Sequence, residues 1–276
     1  MIILQHTPHP ALRSMIDFFY LMHIQQEKGS PPVVSPFPPT PLQFIVFYLD
    51  DQVVTNKEGE MFQKTRSRCM VVGPQATKMN VIVHESHRCF VIGFQPGGLH
   101  RFLRIPMTEL YDDGFDGRQL MGKQMETLTA QLMEAPDFNQ MVVIAEKYFL
   151  NCINMVKEQL PIDLAMAVLA NQNGLVAIDK VASVACLSVR QFERKCLERI
   201  GYSPKFYARL ARFSKAYRLR EAMPHLSWTA IAYEAGYFDQ AHLIRDFRQF
   251  TGISPRILDK QINNNPFPMQ GFLEDL

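Results

Sequence analysis

The 276-residue chain has no run approaching eighteen consecutive apolar residues, which argues against a transmembrane helix. Its opening stretch, Met1-Ile2-Ile3-Leu4-Gln5-His6-Thr7-Pro8, has no basic segment leading into a long apolar one and no small-residue cleavage site, so a cytoplasmic protein with no membrane partner is expected. Cysteine is sparse. The five at positions 69, 89, 152, 186 and 196 are odd in number and scattered, with no Cys-x-x-Cys pair, which argues against a disulfide framework and against a four-cysteine zinc site. Gly-x-Ser-x-Gly, P-loop and dinucleotide fingerprints are missing as well, and Pro96-Gly97-Gly98 reads as a strand-to-helix turn. No enzyme activity, cofactor or metal is therefore expected.

What is present is enough apolar material, 47% of residues, for two packed domains. The net charge of +2 hides an asymmetry: residues 174–258 hold 14 Lys and Arg against 7 Asp and Glu, while the rest of the chain holds 15 against 20. A basic C-terminal segment on a mildly acidic remainder points to a polyanionic partner.

Between Phe18 and Phe94 short apolar runs alternate with turn signals. The runs are Phe18–Ile24, Leu42–Leu49, Cys69–Val72, Met79–Val83 and Cys89–Phe94. The turn signals are Asp50-Asp51-Gln52, Asn56-Lys57-Glu58-Gly59-Glu60, Gly73-Pro74-Gln75 and Glu85-Ser86-His87-Arg88. This spacing predicts an antiparallel β-sandwich or a cupin-like barrel. In His84–Cys89 three potential metal ligands fall within six residues, but positions 84 and 87 of a strand face opposite ways and the segment reads as a hairpin turn. After Pro96 the period becomes helical. Over 137–157, Phe138, Met141, Ala145, Tyr148, Cys152 and Met155 recur at steps of three and four, a seam that suits either self-association as a homodimer or packing on the chain's own domain. A further helix, Pro161 to about Asn171, stops at Gln172-Asn173-Gly174.

The last third contains a repeat. Ser188 matches Asp239, Phe192 matches Leu243, Arg194 matches Arg245, Gly201 matches Gly252 and Pro204 matches Pro255, each 51 residues apart, whereas Ala182 and Ala232 are 50 apart. Copy two therefore has one extra turn residue. Each copy reads as a short helix with small Ala positions, a tight turn, an N-cap and a second helix closed by glycine: helix-turn-helix logic. Apolar side chains at Val189, Phe192 and Cys196, and at Leu243 and Phe247, predict the inward faces. Arg190, Gln191 and Arg194 in copy one, and Gln240, His242 and Arg245 in copy two, are then the candidates for reading base edges in the major groove. Ser188, Lys195, Lys205, Arg209 and Arg212 are the candidates for phosphate contacts. Pro204 to about Ala222 predicts one uninterrupted helix, and nineteen residues at ~1.5 Å each span roughly 28 Å, close to the ~34 Å between successive major-groove faces.

The stretch Ile231-Ala-Tyr-Glu-Ala-Gly-Tyr-Phe-Asp-Gln-Ala-His-Leu-Ile-Arg-Asp-Phe-Arg-Gln-Phe-Thr-Gly-Ile-Ser-Pro255 resembles the second DNA-binding motif of AraC/XylS-type bacterial transcription regulators. The resemblance covers roughly 174–260. It implies a seven-helix unit with two helix-turn-helix motifs, sequence-specific binding of double-stranded DNA and contact with RNA polymerase. It also implies a β-rich domain that binds a small-molecule effector or dimerises. The family's base-contacting positions fall on Arg190, Glu193, Arg194, Ala241, His242 and Arg245. Cys186 stands where the family commonly has Gly, so a left-handed residue there would be mildly strained.

The expectation is thus an α+β chain. An N-terminal β-rich sensor domain occupies 1–136 and a helical connector 137–173. An all-α domain with two helix-turn-helix motifs joined by a linker helix occupies 174–260, followed by a flexible tail, 261–276. The alternative is a binding or catalytic β-domain that the C-terminal unit merely localises on DNA; a cavity lined with convergent acids and bases would favour it, and an apolar cavity would favour the regulator.

Overall fold

A computed structural model describes residues 1–50, 53–57 and 62–264, with side chains described to residue 260. Parts of the first two expected turns, and residues 265–276 of the expected tail, lie outside the described residues. The strands are β1 (Ile2–His6), β2 (Ile16–Gln25), β3 (Val33–Phe37), β4 (Gln43–Tyr48), β5 (Val54–Lys57), β6 (Lys64–Thr65), β7 (Cys69–Val72), β8 (Met79–Val83), β9 (Ser86–Phe94) and β10 (Gly114–Asp116). They form two antiparallel sheets, one ordered β1-β2-β9-β4-β7-β10 and one ordered β3-β8-β5-β6. The sheets do not close, so the domain is a sandwich.

The long strands of the larger sheet are buried on both faces, which is why they read as continuous apolar runs. Successive side chains go to opposite cores. In β2, Phe18, Tyr20, Met22 and Ile24 face the smaller sheet, while Phe19 and Leu21 face the other way. In β9, Cys89 and Val91 alternate with Phe90 and Ile92 in the same fashion. The second face is covered by helices α1 (Gly98–Leu103), α2 (Gly117–Met121), α3 (Gln124–Glu134) and α4 (Phe138–Cys152). The seam on α4 is part of this cover: Phe138, Met141 and Ala145 are buried against the sheet, so that face is occupied by the chain's own core. The segment at 84–89 also differs from expectation. Only His84 and Glu85 turn, because Ser86 already pairs with Gln25 in the β2–β9 ladder.

The remaining helices are α5 (Pro161–Asn171), α6 (Ile178–Val184), α7 (Val189–Ile200), α8 (Pro204–Ala222), α9 (Trp228–Glu234), α10 (Gln240–Thr251) and α11 (Pro255–Asn264). These seven share a single core. Helix α5 belongs to it through Ile162, Ala165, Met166 and Leu169, and α11 runs four residues into the expected tail. The linker α8 is the axis of this domain, with Leu210, Phe213, Ala216 and Tyr217 almost fully buried. Among the described residues no helix is long and apolar enough to cross a membrane.

Candidate nucleic-acid interface

Both repeat copies form a helix, a turn and a second helix, and the same local chemistry sets them. Ser188 caps α7 and Asp239 caps α10, accepting the backbone N–H of Gln191 and of His242 respectively. Gly201 and Gly252 end them in the left-handed region at φ 83° and 72°. In the turns, Cys186 (φ 53°) stands where Gly236 (φ 80°) stands in the other copy. A side chain at such a φ costs about 1 kcal/mol relative to glycine.

With Phe192 and Cys196, and Leu243 and Phe247, packed into the core, the opposite faces point to solvent. Arg190, Glu193 and Arg194 are exposed on α7, and Gln240, Ala241, His242 and Arg245 on α10. Arg190, Arg194 and Gln240 make no hydrogen bond or ion pair with another described residue. Arg245 only reaches back to its own helix, at 3.4 Å from the Ala241 carbonyl. His242 sits 3.0 Å from Asp239. The Asp239 carboxyl is held below its usual range, chiefly by the His242 backbone N–H.

Four further expected site residues, Ser188, Gln191, Arg209 and Arg212, have structural partners. The Gln191 side-chain oxygen accepts from the Ser188 backbone N–H and hydroxyl, both at 3.0 Å, completing a capping box. Both side chains of that pair serve the helix start. The Arg209 guanidinium donates to Asp246 and Gln249 at 2.5 and 2.6 Å and lies over the Phe250 ring. Arg212 stacks over Tyr237 at 5.9 Å. These arginines clamp α8 to the second copy, a role that helix periodicity alone could not reveal because both partners are distant in sequence. Lys205 is exposed and Lys195 half-buried, with no partner among the described residues.

Sequence reasoning missed the attachment of α7 to the sandwich. The Gln43 side chain donates to the Ile200 carbonyl at 2.7 Å, and the Tyr202 hydroxyl donates to the Gln75 carbonyl at 2.6 Å. Gly201 sits so close to Pro74 that an added Cβ would lie 2.3 Å from its ring. Arg199 forms a bidentate pair with Asp163, both bonds 2.7 Å, with side chains only 6% and 3% exposed.

Gln75 also lines a cavity of about 110 Å³ between the two sheets. Its walls are apolar, among them Phe18, Phe44, Val81 and Val91, and His87 is its titratable nitrogen base. Burial pushes the His87 imidazole down to about 4, so it is neutral at physiological pH. No cationic side chain lines this space, and no three metal-ligating side chains converge among the described residues.

Comparison with known proteins gives two family matches. Residues 181–261 match a helix-turn-helix domain, and residues 4–116 match a domain of unknown function (DUF6597). No curated protein matches the chain. Among solved structures, a variant of apo ToxT from Vibrio cholerae is 10% identical, with a TM-score of 0.50, covering 93% of this chain and 100% of ToxT. At that identity the likeness is one of fold. A fatty-acid-bound ToxT is 9% identical (TM-score 0.48, 95% and 96% coverage). The DNA-binding domain of AdpA in complex with a target DNA is 21% identical (TM-score 0.36), covering 38% of this chain and 96% of that domain.

Proposed function

We propose that the chain is an AraC-type transcription regulator that reads an operator with two helices, α7 and α10, in adjacent major grooves; the helix-turn-helix match over residues 181–261 supports DNA binding. The observation that carries this is the exposure of Arg190, Arg194, Gln240 and Arg245, none bonded to another described side chain, on two helices whose opposite faces are locked into one core. Arg can grip guanine through O6 and N7, and Gln can pair with adenine. Lys205 supplies phosphate affinity, which carries no sequence information.

The apolar cavity of the sandwich supports a sensing role, since no carboxylate, lysine or arginine is among the residues that line it. Its chemistry suits a small, neutral, largely apolar effector with one polar group for His87 or Gln75. Gln75 connects that cavity to Tyr202, just beyond the end of α7, so an effector that moves the Gly73–Gln75 loop would reposition the first reading helix. Contact with RNA polymerase is the corresponding route from binding to transcription.

Selection of bound duplexes from a random pool, followed by footprinting, tests the reading. Two protected half-sites with centres about 10 to 10.5 base pairs apart are expected. A single half-site, or protection without any sequence preference, would overturn it.

A further inference from the structure

The extra residue of copy two is Phe238. The turns superimpose through their third residue: the Leu187 N–H bonds the Ala182 carbonyl at 3.0 Å, and the Tyr237 N–H bonds the Ala232 carbonyl at 2.9 Å. Leu187 and Tyr237 both pack on the helical core. In copy one the N-cap Ser188 follows at once, whereas in copy two Phe238 stands between Tyr237 and the N-cap Asp239.

An apolar residue just before an N-cap ordinarily packs on the fourth residue of the helix. Here that residue is Leu243, which is fully buried, yet Phe238 is 93% exposed and cannot be packed on it. The ring instead lies exposed beside the first turn of α10, edge to face with His242, their centroids 6.3 Å apart at 76°. It therefore extends the face that carries His242, at the end of the helix that enters the groove in helix-turn-helix docking.

We propose that Phe238 is a specificity residue that packs on the C5-methyl of a thymine in the second half-site. Among the four bases only thymine offers an apolar group on its major-groove edge, and phenylalanine is a side chain suited to it. This rests on the reading of α10 as a base-reading helix. It adds a determinant that makes no hydrogen bond and that copy one, lacking the inserted residue, cannot match.

The test uses full-length protein and a duplex selected in vitro, with each thymine replaced in turn by deoxyuracil, which removes only the methyl. At one position in the α10 half-site the wild-type protein should bind about fourfold more weakly, the worth of one methyl-sized group buried. Phe238→Ala should lose a similar factor on the thymine duplex and show no further loss on the deoxyuracil duplex; Phe238→Leu should retain part of the discrimination. If the variant keeps the wild-type preference for thymine, or no position responds to methyl removal, the proposal falls. It falls equally if Phe238→Ala binds both duplexes normally but lowers transcript yield with purified RNA polymerase, since the ring would then serve a protein surface. Arg245→Ala on the same duplexes separates the two readings: its failure to reduce specific binding would remove α10 from base reading altogether, whereas a loss there with an indifferent Phe238 removes only this inference.

Discussion

The two helix-turn-helix copies use the same caps, the same left-handed turn and the same inward apolar positions, but they are restrained from different directions. The end of α7 is held by the sandwich through Gln43, Pro74 and Gln75, and by α5 through the Asp163–Arg199 pair. At the matching end of α10 the sandwich contributes a bond from Lys78 to the Thr251 carbonyl at 3.0 Å. Copy two is held chiefly by its own domain, through Arg209 on Asp246 and a ring cluster of Phe213, Tyr217, Trp228 and Phe247. Under the proposed function the contrast implies a division of labour: the first helix would be the one that a change in the β-domain moves, and the second would read with least regard to it.

The largest expected effect breaks the restraint on copy one. Asp163→Ala leaves the Arg199 charge buried without its partner and should cost about 3–5 kcal/mol in urea unfolding. The matching change in copy two, Asp246→Ala, should cost less, about 1.5–3 kcal/mol, since Arg209 is partly solvated. Equal losses would mean that the two restraints are equivalent. Next, Arg190→Ala and Arg245→Ala should each weaken binding to a selected duplex by roughly 1–3 kcal/mol while leaving a scrambled duplex nearly unaffected. Equal losses on both duplexes would show that these side chains do not read bases.

A smaller effect concerns the turns. Cys186→Gly should stabilise by roughly 0.5–1 kcal/mol by relieving a left-handed side chain. Gly236→Ala should destabilise by more than that, because its Cβ would lie 2.4 Å from Leu175. A thermal melt in which Cys186→Gly is neutral would show that the two turns are not under the same constraint. Smallest is Lys205→Ala, which should weaken all duplexes alike and reduce the slope of log affinity against log salt by about 1. A change in base preference would move Lys205 from phosphate contact to reading.

Much of the candidate site was legible because its determinants are local. The caps at Ser188 and Asp239, the stops at Gly201 and Gly252, and the left-handed turn at Cys186 follow from residues a few positions apart. The inward Phe192 and Leu243 follow from a 3.6-residue period. Gln191 is ambiguous in sequence because an exposed polar side chain three residues after an N-cap suits both a base and the cap, and only the geometry shows that it closes the cap. Arg209 and Arg212 read as free cations because Asp246 and Tyr237 lie a helix away in space but 37 and 25 residues away in sequence.

The sequence by itself therefore determined the doubled helix-turn-helix, its outward polar faces and the β-rich character of the N-terminal part, all of which rest on hydrophobic period, capping and turn chemistry acting over one or two turns of chain. The tertiary structure alone decided the strand order, the assignment of α4 to one core and α5 to the other, the cavity between the sheets and the docking of Gly201 on Pro74. Those features depend on which buried surfaces meet, and an apolar residue's identity says that it will be buried without saying against what.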